Sequence, residues 1–524
     1  MSKTDKSSKA KTKKHMKVSK KNKIIIAVSI VLAVLICFSY VAMQIGLPAK
    51  VLTGAKIVKT TDGKEKTVKR IPIVEMNYYF TVAANQLMAY GSGIDASQLD
   101  EVCDPNTGKT YRDVLWEEAA SSAQGDYLLY EEAMNSGFKP SCTDRYVELQ
   151  VDSVRQTCDY MNALRGTNMT ADQYLQSTYG TGMTMQIYRR IMRRTAVIEE
   201  FSAYLQQTTM VPNQETVQKK FDESPETYTF VNYQLYFVSA ELPEETTEEE
   251  KTKLLAEAEK KAHKIADNCK DVEEFQKRAL EFSSDDYKER FEKGEVTMAK
   301  TGGTKANLTN ASPEFAEMCF NPETKPLTTM VFKDSEDQGY FAAMFEEAYI
   351  KEDPTASYRV IVLRNGALSD MTASEEEKAA AIQEAHKDAE ELMAKATSED
   401  EFIKLAKENS EDMNSFTRGG YYEGVTQNSF SPVDPGDGSE PKLSDADQKL
   451  VDWLFDSSRK AGDMIIIDSG SSVNLYYFHD TAPAWMASLR AQMASENYTT
   501  WANGIVSNPI YSVIVNHGLI DFFS

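Results

Sequence analysis

The chain has 524 residues, with 58 Lys and Arg against 80 Asp and Glu and a formal net charge of −22. A surface of that sign repels nucleic acid and anionic lipid headgroups, so no nucleic-acid partner is expected. Six cysteines at irregular spacing make neither a disulfide framework nor a paired-cysteine metal motif. With no HExxH, GxSxG or P-loop string present, no site for ordinary hydrolase or nucleotide chemistry is visible, and no cofactor or metal is expected.

Residues 1–23 carry ten lysines and one aspartate, a local charge of +9, and Ile24 to Leu47 carries no charge at all. As a helix that run reaches about 36 Å, enough to cross a bilayer. Lysines before the run place the N-terminus in the cytoplasm. A cleaved signal peptide is the rival reading, but the run shows no small-x-small exit, and Leu35-Ile36 before Cys37 is no lipoprotein cleavage site. The expectation is a cytoplasmic tail (1–23), an uncleaved single-pass anchor (24–47) in the cell membrane and an extracytoplasmic remainder. Subtracting +9 from −22 leaves that remainder at −31, with length for two or three domains.

Beyond the anchor, Val51 to Lys69 reads as a hairpin around Asp62-Gly63. Ile71 to Gln86 reads as a strand edge and a helix. Tyr111 to Ser136 is an amphipathic helix with Val114, Leu115, Ala119, Tyr127, Leu128 and Ala133 on its buried side and Gly137 as its stop. Asp144 to Met161, Thr170 to Thr178, Met183 to Gln206 and Pro212 to Glu223 follow as helices. Of the five cysteines beyond the anchor, one pair in this region is an open alternative to buried inert thiols.

A repeat follows. Thr247-Glu248-Glu249-Glu250-Lys251 recurs as Ser374-Glu375-Glu376-Glu377-Lys378, an offset of 127. Both are helix-start boxes, in which the hydroxyl caps orphan donors and the acid three residues on reaches back. At the same offset Ala262 meets Ala389, Phe275 meets Phe402, Ala279 meets Ala406 and Ser283 meets Ser410. Val231 to Phe237 meets Tyr358 to Arg364. Later the copies drift, and Gly302-Gly303 is matched to Gly419-Gly420 only across a gap. Each copy reads as strand, helices, glycine turn and strand, with Ser431 to Asp445 an insertion in the second. Trp485 to Val506 then reads as a helix and Tyr511 to Val515 as a strand.

Ser398 to Gly424, SEDEFIKLAKENSEDMNSFTRGGYYEG, is the most informative stretch. Ser398 and Glu401 open a helix, and Phe402, Leu405 and Ala406 give it one apolar stripe. Gly419-Gly420 closes a turn few other residues could make. In its order of Ala406, Ser410, Asp412, Gly419, Gly420 and Gly424, the stretch resembles the centre of a parvulin-type (PpiC-type) peptidyl-prolyl isomerase domain. Upstream, LLYEEAMNSGFKPSCTDRYVE, MTADQYLQSTYGTGMTMQIYRRIMRRTAVIEEF and VPNQETVQKKFDESPETY resemble, in that order, the N-terminal chaperone domain of PrsA/SurA-type extracytoplasmic foldases.

The resemblance implies an α+β chain: a helical chaperone domain (48–227), a degenerate parvulin-like domain (228–348), a parvulin-like domain (356–481), and a C-terminal helix and strand (482–524) packing back on the N-terminal domain through Trp485, Leu489, Tyr498 and Trp501. It implies isomerisation of X-Pro bonds, whose barrier is about 18–20 kcal/mol, in unfolded or proline-containing secreted polypeptides. Carried over residue by residue, Asp412 falls on the family's acidic position. Phe455 falls on an apolar position and Leu450 stands where a pocket phenylalanine is usual. Val360 replaces the first-strand histidine, and Leu475 or Tyr476 replaces the last-strand one. In the first copy the corresponding places hold Tyr233 or Gln234, and Phe341, while Ser283 is kept and Asp285 lies near the acidic position. Asp412 is the expected catalytic residue, and Val360, Leu450, Phe455 and Tyr476 the expected substrate-binding ones. The plain reading of Asp412 is a turn aspartate that caps backbone. His263 and His386 read as solvent-facing, and His479 as out of register with the family histidine. Lacking both histidines in both copies, the chain also reads as a non-catalytic holdase with peptide-binding parvulin-like domains. A cell-surface structural or adhesion protein is the third alternative.

Overall fold

The structure, a computed structural model, describes residues 37, 39–89, 94–243, 245–369, 373–434 and 440–523. Most of the expected anchor lies outside these residues. Among the described residues no helix is long and apolar enough to cross a membrane. The chain is mixed α/β and divides into two compact units, Met1–Phe201 with Thr500–Ser524, and Ser202–Thr499.

In the first unit β1 (Thr53–Thr61) and β2 (Lys64–Pro72) form a hairpin. Its turn needs positive φ at both central residues, and Asp62 (51°) and Gly63 (71°) supply it. The C-terminal strand Tyr511–Val515 pairs with the other side of β1, leaving β2 at the edge. Its main helices are α1 (Ile73–Ala89), α2 (Tyr111–Asn135), α3 (Thr143–Arg165), α4 (Ala171–Tyr179) and α5 (Met185–Gln207). Trp116 and Leu115 of α2 are buried against α1, the Phe80 ring 4.2 Å from that of Trp116. Val114 is a correction: it faces solvent, because the buried stripe of α2 runs through Leu115, Ala119, Ala123 and Leu128 instead. The Cys142 side chain makes no cap for α3, and buried Glu200 of α5 accepts from the Ser141 and Cys142 N–H groups at 2.9 and 3.1 Å. Orphan donors of one helix are thus met by a carboxylate 58 residues away. The Trp501 ring packs on Phe201 at 5.8 Å. All described cysteines are free thiols.

In the second unit α6 (Gln214–Glu223) precedes β3 (Thr229–Ser239), α7 (Glu248–Ala266), α8 (Val272–Glu281), α9 (Asp285–Glu292), β4 (Ala299–Gly303), α10 (Lys305–Ala311), α11 (Pro313–Phe320), β5 (Thr329–Lys333) and β6 (Gly339–Ile350). Next come β7 (Pro354–Leu363), α12 (Glu375–Lys395), α13 (Glu399–Asn409), β8 (Tyr421–Val425), α14 (Asp445–Leu454), β9 (Met464–Asp468) and β10 (Val473–Pro483). Helix α15 (Ala484–Val506) follows. Thr247 and Ser374 each make a reciprocal capping box with the glutamate three residues on. The strands form two antiparallel sheets, ordered β4-β3-β6-β5 and β8-β7-β10-β9. Each sheet buries both faces. In the second sheet, Ile361, Leu363 and Leu475 pack with Phe402 and Ala406, whereas Tyr358, Val360 and Tyr476 pack on the other face with Leu450, Trp453 and Leu454. Within this unit Trp485 packs on Phe221 at 4.2 Å, and Tyr498 bonds to Ser202.

The glycine pairs are not equivalent in register, which corrects the sequence match. Gly303 lies opposite Val231, the place that Tyr422 takes opposite Tyr358, while Gly420 precedes β8 and its carbonyl accepts from Val360 N–H at 2.9 Å.

Candidate functional site

The site forms on the β7–β8–β10 face that α14 covers. Helix α13, capped by Ser398 accepting from Glu401 N–H at 3.2 Å, ends at Ser410. The Ser410 hydroxyl then accepts from Val362 N–H (3.1 Å) and Asp412 N–H (3.2 Å), so one side chain ties the outgoing loop to β7. Asp412 is thereby turned inward, 9 % exposed. Its Oδ1 accepts from Asn414 N–H at 3.1 Å, and its Oδ2 accepts from the Tyr422 hydroxyl at 2.7 Å and from the Ser415 hydroxyl. Asp412 is therefore both a turn cap and the acceptor for two side-chain hydroxyls.

Three tyrosines stand over it. Tyr358 stacks on Tyr422 with ring centroids 5.3 Å apart and meets Tyr476 edge-on at 5.6 Å. Burial and the hydrogen bond to Asp412 push the Tyr422 phenol up to about 12, and burial does the same for Tyr476. Burial raises Tyr358 further. All three stay protonated at neutral pH, and the Tyr422 hydroxyl donates to Asp412. The Tyr476 hydroxyl accepts from Asn474 Nδ2 at 3.3 Å, and Asn474 Oδ1 accepts from Ser472 at 2.9 Å.

The residues singled out in the sequence fall as follows. Asp412 is the centre of the polar network. Val360 and Leu450 are buried in the apolar cluster beside it, and Phe455, the C-cap of α14, packs partly buried against the same cluster. The pleat decides between Leu475 and Tyr476: Leu475 faces Phe402 on the opposite side, and Tyr476 faces Tyr358. Sequence reasoning missed Tyr358, Ser415, Tyr422 and Asn474. Tyr358 was findable, since it lies two residues before Val360 and so on the same face. Tyr422 carried no local signal, because its contact with Asp412 requires β8 to pair with β7.

The same relation in the first copy gives different chemistry. Val231 and Tyr233 of β3 face Leu308, Phe315 and Phe332. A cavity of about 410 Å³ opens between Tyr233, Leu235, Leu308, Phe315 and Phe332. Asp285 stands on the exposed first turn of α9, paired with Lys288 at 3.1 Å. Ser283 donates to the backbone of Ala279 and to the Tyr236 hydroxyl.

Asp412, the three tyrosines and the buried face of α14 thus stand together on one side of the second sheet. Residues 351–435 match the PPIC-type PPIase domain, the parvulin class, which supports a peptidyl-prolyl isomerase or foldase role. No curated protein matches the chain.

Proposed function

We propose that the chain is a membrane-anchored, extracytoplasmic folding factor of the PrsA/SurA type whose parvulin domain acts on proline-containing segments of secreted polypeptides. The observation that carries this reading is the match over 351–435 coinciding with the Asp412 network under an apolar wall. The wall of Leu450, Val360 and Phe455 takes the prolyl ring. Asp412 and the tyrosine hydroxyls supply the acceptor and donors that favour the twisted amide over the planar one. The lysine cluster before the uncharged run of residues 24–47 supports the anchor and its orientation. Protease added to intact cells or protoplasts should digest the large portion and leave a small protected stub, and full protection would reverse the orientation.

The second reading, a holdase, is favoured by one feature: neutral tyrosines, not histidines, face the site at Tyr358 and Tyr476. Each hydrogen bond missing from the transition state would cost about 1–3 kcal/mol, about ten- to a hundredfold in rate. Proline-limited refolding and aggregation suppression, measured side by side, separate the readings. Catalysis reduced at least tenfold by Asp412→Ala supports the enzyme. Suppression without catalysis supports the holdase, and neither activity sinks both.

A further inference from the structure

We propose that the cleft between β2, α2 and α5 of the first unit is a docking site for an extended, acidic segment of another polypeptide, which adds as a strand to the free edge of β2. The cleft encloses about 790 Å³. Six cations line it, Lys69, Arg70, Arg189, Arg190, Arg193 and Arg194, against the carboxylates of Glu75 and Glu131. This is a cationic hollow in a chain whose net charge is −22. The four arginines come from RRIMRR on α5, where positions i, i+1, i+4 and i+5 share one side of a helix.

They differ in how far they are already engaged. Arg194 is a fixed part of the floor: its guanidinium donates to Glu75 at 2.5 Å and to the Tyr79 hydroxyl at 2.8 Å, and Tyr79 donates to Asp126 at 2.7 Å. Arg190 is 61 % exposed and, among the described residues, reaches only Glu75, at 3.8 Å. Arg70 is exposed and, among the described residues, has no ion pair. Arg189 and Arg193 are held by Glu148 and Asp144, surface acids that a ligand carboxylate can displace at little cost. Two guanidiniums are thus ready for carboxylates and two are exchangeable.

Strand geometry decides that the ligand is a polypeptide. Lys69 and Arg70 are consecutive in β2, so their side chains leave opposite faces, yet both line the cleft. The cleft therefore runs beside the edge of β2, and among the described residues β2 is paired only with β1. An unpaired edge offers backbone donors and acceptors to an incoming strand, and the side pockets read its alternate residues. Tyr130 and Met134 provide apolar wall between the charges.

The proposal is independent of the isomerase reading. Its test uses the purified full chain in mild detergent and a fluorescent twelve-residue peptide alternating Glu with Val and Tyr, read by anisotropy. Comparison probes are the same peptide with Lys for Glu, a version N-methylated at alternate backbone nitrogens, a single-stranded oligonucleotide and phosphatidylglycerol vesicles. The acidic peptide should bind, more weakly as salt rises, and the lysine peptide should not. Arg70→Glu with Arg190→Glu should weaken binding at least tenfold, and N-methylation should do the same on one of the two methylation registers. Both arginines are exposed, and unchanged circular dichroism checks that the variant folds. Equal affinity of the variant overturns the site, indifference to N-methylation in both registers overturns strand addition, and preferential cleft-dependent binding of oligonucleotide or vesicles overturns the polypeptide assignment.

Discussion

The two sheets of the second unit have one strand order and two different uses of the corresponding face. In residues 354–483 the face holds a buried carboxylate and three tyrosine rings; in residues 229–350 it holds a cavity without a carboxylate in its lining, and its aspartate stands in solvent. The difference comes from few positions. At the offset of 127, Val231 stands for Tyr358 and Asp285 for Asp412, while in register Gly303 stands opposite Val231 as Tyr422 does opposite Tyr358. Removing the ring at Tyr422's place removes the donor that a buried carboxylate there would need, and removing the ring at Tyr358's place leaves room that Tyr233 and Phe315 only border. Scaffold and chemistry are thus separable, since the backbone pairing persists while the polar network is present or absent as a unit.

The largest effect that would sharpen this contrast is expected at the glycines. Gly420 has φ of 76°, and an added Cβ would overlap the Val360 carbonyl oxygen, a backbone atom that cannot step aside. Gly420→Ala should cost about 2–5 kcal/mol in the second half. Gly303→Ala would meet the ends of the Leu308 and Tyr233 side chains at 2.8 and 2.9 Å, which can turn away, for about 1 kcal/mol. Segment-resolved hydrogen exchange in urea measures both, and equal losses would break the comparison.

Next comes the aspartate pair. Asp412→Ala strands the Tyr422 and Ser415 hydroxyls and should destabilise by about 1–3 kcal/mol. Asp285→Ala removes only an exposed ion pair and should change stability by less than about 0.5 kcal/mol. Urea midpoints of the two variants give the answer.

A pH experiment addresses the opposite face of the second sheet. Glu399 lies 2.8 Å from His479 Nδ1 and accepts from Arg359 Nε at 2.8 Å. The histidine contact is short enough for an ion pair, though off the line of a good hydrogen bond. These two partners hold the Glu399 carboxyl down at about 2 against an ordinary 4.5. The folded value is the lower one, so the contribution is complete above pH 4.5 and is lost as pH falls toward 2. The corresponding first-half residues, Val272 and Asn232, carry no charge. Glu399→Gln should therefore flatten the acid loss of exchange protection in the second half and leave the first half unchanged. An identical acid profile in variant and parent would remove the ion pair from the account.

A smaller loss than that of Asp412→Ala is expected from Tyr422→Phe, which keeps the ring against Tyr358 and deletes one donor to Asp412, for about 0.5–1.5 kcal/mol. A larger loss would show that the three-tyrosine stack depends on the hydroxyl.

Much of the local structure could be read from the chain alone, because its causes are local. Thr247 and Ser374 cap helices whose third residues are glutamates, Asp62-Gly63 can adopt the left-handed turn that a tight hairpin needs, and the stripe Phe402, Leu405, Ala406 follows from helical spacing. Asp412 was singled out through the resemblance of Ala406 to Gly424 to the parvulin centre, and its capping of the turn follows from its residue type. The rest of the site was not legible. Whether Leu475 or Tyr476 faces Asp412, and that Tyr358 and Tyr422 do, depends on the register of β7 against β8 and β10, strands separated by long stretches of chain. A one-residue slip in that pairing would exchange the two faces completely. The cationic cleft is non-local in the same way: RRIMRR is one helix face in the sequence, and only the edge of β2 lying beside it makes a groove.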